Sequence, residues 1–76
     1  MSEVKWLIEF GKQLEYLLEY TNTTREEIAD FTGVSQASIS RYINGLQMPS
    51  VDTIVDIAVE LDSDIDDLVN FGESVH

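Results

Sequence analysis

A chain of 76 residues with four Lys and Arg against 15 Asp and Glu carries a formal net charge of −11; at this length roughly 60% of the unfolded surface is buried, so most apolar side chains are needed for a single core. It has no cysteine, and its one histidine is the last residue, His76, which excludes a disulfide framework, a thiolate zinc site and a nucleophile with an adjacent histidine base. No apolar run approaches the ~20 residues of a membrane span and the N-terminus lacks the basic-then-apolar pattern of a secretory signal, so the chain reads as soluble and cytoplasmic.

The spacing of Leu7, Phe10, Leu14, Leu17 and Leu18 predicts an amphipathic helix over residues 3 to 20, with Glu3, Lys12, Glu15 and Glu19 on its other sides. Gly11 interrupts it at a cost of about 1 kcal/mol relative to alanine. Trp6, Tyr16 and Tyr20 are expected as core or edge aromatics rather than partner contacts, because a small domain uses every large side chain it has.

The stretch from Thr23 to Ser50 reads as two short helices joined by a tight turn. Thr24 is a natural N-cap and Glu27 completes a capping box. Ile28, Ala29 and Phe31 supply the inward face of this helix, which stops at Gly33, where the turn requires positive φ. Ser35 caps the next helix, from Gln36 to about Asn44, with Ile39, Tyr42 and Ile43 inward. Its other side carries Gln36, Ser38, Ser40, Arg41 and Asn44, which can donate to or accept from base edges and phosphates.

Gly45 to Pro49 is a loop and Ser50 caps a fourth helix, whose apolar stripe is read as Val51, Ile54, Val55, Ala58, Val59 and Leu61. Asp52, Asp56 and Glu60 repel one another mildly on its outer side. Asp62-Ser63-Asp64 breaks the pattern, and Ile65, Leu68, Val69 and Phe71 form a short fifth helix with Asp66 and Asp67 in its first turn. Gly72 to His76 is a tail. The whole chain, residues 1 to 76, is expected to be one domain.

Charge is unevenly spread: residues 1 to 22 carry −2, residues 23 to 50 carry −1 and residues 51 to 76 carry −8. Between Val34 and Pro49 there is no carboxylate, and Arg41 is the only charge. Asp62, Asp64, Asp66 and Glu73 fall at the first, third, fifth and twelfth places of a calcium loop, but Asp67 stands where that loop needs glycine, and Ile65, Leu68 and Val69 fit a buried helical face. A solvated acidic face is expected, with no metal and no cofactor. Without a glycine-rich phosphate cradle or an acid–base pair in a concave site, no enzyme or small-molecule substrate is expected.

The run REEIADFTGVSQASISRYINGLQMPSVDTIVDIAVELDSDIDDL resembles the phage repressor and Cro-type (XRE-like) helix-turn-helix family, over about residues 11 to 71. Ala29, Gly33, Ile39, Pro49, Ile57 and Ala58 fall where that pattern has its small, turn and core residues. The resemblance implies an all-α, five-helix lambda-repressor-like fold whose third helix enters the major groove of double-stranded DNA. Carried over by position, Gln36, Ala37 and Arg41 face bases, Ser35, Ser38 and Asn44 lie near phosphates, and Arg25 occupies a phosphate-contacting place. Members usually add Lys or Arg in the first helix and in the loop after the third. Here the first helix offers Lys12 among Gln13, Glu15 and Leu18, and the loop reads Leu46-Gln47-Met48.

Two functions follow. One is a small sequence-specific DNA-binding regulator of the phage or prophage type, strengthened by a homodimer or a partner. The other is an acidic helix-turn-helix protein acting through protein contact, such as an antirepressor whose Leu46 and Met48 dock on a repressor.

Overall fold

A computed structural model describes residues 3–69, with side chains from Lys5 to Leu68, and the described residues form helices only: α1 (Glu3–Thr21), α2 (Arg25–Thr32), α3 (Gln36–Ile43), α4 (Val51–Glu60) and α5 (Ile65–Val69). The starts of α2, α3 and α4 are set by hydroxyl caps. Thr24 Oγ1 accepts from the Glu27 N–H at 3.0 Å while the Glu27 carboxylate accepts from the Thr24 N–H at 2.8 Å, which is the predicted capping box. Ser35 accepts from the Ser38 N–H at 3.0 Å and Ser50 from the Thr53 N–H at 3.2 Å, satisfying donors the helix itself leaves without partners.

The stops are left-handed residues. Gly33 ends α2 at φ 80°, with its N–H on the Ala29 carbonyl at 2.9 Å. Asn22 and Asp62 end α1 and α4 at φ 58° and 53°, a conformation asparagine and aspartate tolerate better than most residues. There the Thr23 and Ser63 N–H groups donate back to Leu18 and Ala58 at 2.9 Å each, closing the last turns. Asp62-Ser63-Asp64 is therefore a helix-ending motif as well as a break in apolar periodicity.

Every helix places at least one fully buried side chain at the centre: Phe10 and Leu14 from α1, Ile28 from α2, Ile39 from α3, Ile57 from α4 and Leu68 from α5. Burial of each stabilises the fold by about 1.5–3 kcal/mol. The principal helix contacts form a closed ring around them, with α3 touching α1 and α2, α4 touching α2 and α5, and α5 returning to α1. A five-residue α5 is too short to persist alone, and Leu68 holds it in that ring.

Gly11 lies inside an unbroken α1 and is buried. A methyl group there would overlap the Ile43 carbonyl oxygen and stand 2.5 Å from the Tyr42 carbonyl oxygen, both of them backbone atoms. The glycine expected to be a weak point in the helix is thus the place where α1 meets the last turn of α3.

Several inward assignments are corrected. Phe31 is half exposed at the end of α2, and Val51, Val55 and Val59 face outward, Val51 at 74% exposure. The true inner stripe of α4 is Thr53, Ile54, Ile57, Ala58 and Leu61. Both sides of that helix are apolar, so periodicity alone selected the wrong mixture. Trp6 is an edge aromatic, stacked on Phe10 at 5.3 Å between ring centroids. Tyr16 and Tyr20 belong to neither core nor edge, being exposed, and so is Ile65. Phe71, Glu73 and the expected tail lie outside the described residues.

Gly11→Ala is expected to destabilise the protein by about 1–3 kcal/mol, because overlap with rigid backbone outweighs the ~1 kcal/mol that alanine's helix propensity returns. Urea unfolding decides the sign: a variant more stable than the parent would show that α1 and α3 are not held in this close contact.

Candidate nucleic-acid interface

At about 100° per residue, Ile39, Tyr42 and Ile43 turn α3 inward, and Ala37, Arg41 and Asn44 project from the opposite side. Burial agrees, since the first three are buried and the second three exposed. Ser38 and Ser40 sit on the two shoulders, half-buried, while Gln36 is exposed in the first turn and Ser35 precedes it as the cap. All eight residues predicted to contact DNA, Arg25 among them, are thus placed on or beside one outward ridge or at its capped end.

Hydrogen bonds fix both shoulders. On one, Ser35 Oγ donates to Ser38 Oγ at 3.1 Å, and Arg41 Nη1 reaches the same oxygen at 3.5 Å, the long end of the useful range. On the other, Arg25 Nη1 donates to Ser40 Oγ at 2.9 Å, tying the start of α2 to the flank of α3. That bond uses one of five guanidinium donors, so Arg25 keeps donors for a ligand while being held beside the ridge. Ser40 is therefore a positioning residue for Arg25 as well as part of the polar surface.

The electrostatics are mixed. Arg25 and Arg41 are the cations of this surface, and α3 carries no carboxylate. Beneath Arg25, however, Glu15 and Glu19 of α1 line the same shallow cleft. In solvent such charges are screened beyond about 8–10 Å, so the acids weaken Arg25 more than they weaken Arg41.

Leu46 and Met48, predicted as protein contacts, are exposed by 72% and 47% in the loop after α3. Ile8, which the sequence reading did not single out, lies against Gly45 at the base of that loop and is itself exposed. Only the fold brings α1 to this loop. The Arg25–Ser40 link is equally invisible in sequence, because the two residues are 15 positions apart on different helices. Of the calcium-like acidic run, Asp66 and Asp67 lie inside α5 and the Asp64 N–H donates to Asp67 Oδ2 at 3.2 Å, so helix occupies the place of a loop.

Fold and ridge together define a small all-α helix-turn-helix domain. Residues 10–68 match the model of the helix-turn-helix family HTH_3, and the chain belongs to that family. Among solved structures it is similar to the restriction-modification controller protein C.AhdI from Aeromonas hydrophila, with a TM-score of 0.77 and 24% identity, covering 82% of this chain and 94% of that one. It is also similar to an HTH_3 family transcriptional regulator from Vibrio cholerae, with a TM-score of 0.82 and 23% identity, over 96% of this chain. The match spans only 40% of the Vibrio cholerae chain. No curated protein gives a significant sequence match. The fold is therefore the helix-turn-helix fold of that family, shared with the controller protein and the transcriptional regulator.

Because Gly33 sets the angle between α2 and α3, Gly33→Ala is expected to lower stability by about 1–2 kcal/mol through left-handed strain, although nothing within 4 Å opposes the added methyl. Urea midpoints test this; an unchanged midpoint would mean that the turn relaxes without loss.

Proposed function

We propose that this chain is a small sequence-specific DNA-binding regulator of the phage or prophage repressor type, acting on cytoplasmic DNA. Gln36, Ala37 and Arg41 read base edges from the major groove, Ser35, Ser38 and Asn44 contact the flanking phosphates, and Arg25, held by Ser40, clasps a further phosphate. The observation that carries this reading is the carboxylate-free outer side of α3, with Arg41 exposed on its ridge and Gln36 exposed in its first turn. Membership of a helix-turn-helix family supports it.

With Arg41 turned to a base edge, Arg25 alone makes a thin phosphate clamp. Each phosphate neutralised changes log K by about −0.9 per decade of salt, so one chain supplies a slope near −1 where a typical binder supplies several times that. A single ridge then binds weakly, and useful affinity comes from pairing two copies or from a partner.

Fluorescence anisotropy with pooled genomic fragments at about 50 mM salt tests the reading. Binding is expected with a shallow salt slope, and Arg41→Ala should lose about 1–3 kcal/mol on the best fragments and little on the rest. Absence of binding at that salt, at high protein concentration, overturns it.

A second reading is favoured by a different observation: Leu46, Met48 and Val51 expose apolar groups beside the ridge of a strongly anionic chain. On it the protein is an antirepressor or modulator that docks on a repressor. Leu46→Asp with Met48→Asp should then abolish co-purification with that repressor while circular dichroism stays unchanged; on the DNA reading the same variant loses no base discrimination.

A further inference from the structure

The side of α1 turned away from α3 carries a surface that the DNA reading does not use. Tyr16 and Tyr20, one helical turn apart, are 57% and 76% exposed, and their rings stack at 6.0 Å between centroids with 20° between planes. They form one wall of an open groove of about 440 Å³ between α1 and the turn joining α4 to α5. Leu17 and Leu61, both buried, give it an apolar base, and the opposite wall presents Asp62 and Asp67. No Lys or Arg lines it.

This pairing of chemistries selects its occupant. A tyrosine ring carries partial negative charge on its face and attracts a guanidinium or ammonium laid over it. The aspartates complete the match, since a planar guanidinium can stack on an aromatic ring while its N–H groups bond a carboxylate. A nucleic acid or an anionic lipid surface is disfavoured by the same aspartates and by the −8 carried on residues 51 to 76. The apolar base suits the methylene stem of a long basic side chain.

We propose that the Tyr16–Tyr20 groove is a docking site for an arginine-bearing segment of a protein partner, held on the side of α1 away from α3 so that the recognition ridge stays open. The site stands on its own residues and does not depend on what α3 contacts.

The probe is a short fluorescein-labelled peptide of alternating Arg and Gly, titrated by anisotropy with the full chain, beside the same peptide with Lys for Arg. The Arg peptide should bind more tightly than the Lys peptide. Tyr16→Ala with Tyr20→Ala should weaken it by about fivefold or more, from about two- to fivefold per exposed ring. Tyr16→Phe with Tyr20→Phe, which keeps both rings, should retain binding. Asp62→Asn with Asp67→Asn should weaken it clearly more than the charge-matched Glu26→Gln with Asp52→Asn, which lies outside the groove. Both tyrosines are exposed, so the alanine variant keeps its core, and circular dichroism confirms this. DNA affinity of that variant should equal the parent's, which separates failure here from failure of the DNA reading. The proposal is overturned if the alanine variant binds the peptide as the parent does, if the two acid-neutralised variants bind alike and only bulk charge matters, or if sedimentation shows the parent self-associating through these tyrosines.

Discussion

α3 is eight residues long, too short to hold helical structure in water by itself. What keeps it in place is contact at both ends. At its start, the left-handed Gly33 and the Ser35 cap fix the direction in which the chain enters. At its end, α1 crosses so closely that only glycine fits, and the Tyr42 and Ile43 carbonyls face the backbone around Gly11. Ile39 fills the middle. With both ends and the inner face fixed by packing, the outer face needs no apolar residues, and the chain is free to make it polar without loss of stability.

The distribution of charge acts on that face in two ways. Carboxylates have been kept off α3 while the C-terminal third is dense with them, so the molecule has a weakly positive ridge on a strongly negative body. Net repulsion from a polyanion opposes loose, sequence-independent association, which rests almost wholly on phosphate contacts. On the DNA-binding reading, short-range hydrogen bonds from Arg41 or Gln36 to base edges would be much less affected, since long-range charge is screened within about 10 Å. A surface of this kind gives up affinity and gains in the ratio of specific to non-specific binding.

Features legible in the sequence are those decided within a few residues. Thr24 with Glu27, Ser35, Ser50 and Gly33 each act through atoms three or four positions away, and each does in the structure what its residue type requires. Ile39, Tyr42 and Ile43 were legible because α3 has its large apolar residues on one side only. α4 was not, because valines at 51, 55 and 59 compete with Thr53, Ile54 and Ile57 for the inner face, and only the position of α2 and α5 decides between them. Gly11 shows the same limit. Its propensity cost is local and visible, whereas its reason, a backbone 32 positions further on, is not.

The outward valines carry a constraint of their own. Each is followed directly by an acid: Val51 by Asp52, Val55 by Asp56 and Val59 by Glu60. An apolar stripe at that spacing would invite pairing with a second copy, but two such stripes brought together also bring three carboxylates on each side near one another. Self-association through α4 is therefore opposed at low salt and eased as salt rises. On the DNA-binding reading, the phosphate contact proposed for Arg25 runs the other way, weakening as salt rises. If affinity for DNA depends on two copies joined through this face, the two dependences partly cancel, so a shallow overall salt response has a second physical source besides the thin clamp. The two sources differ in concentration dependence, because only self-association changes with the amount of protein present.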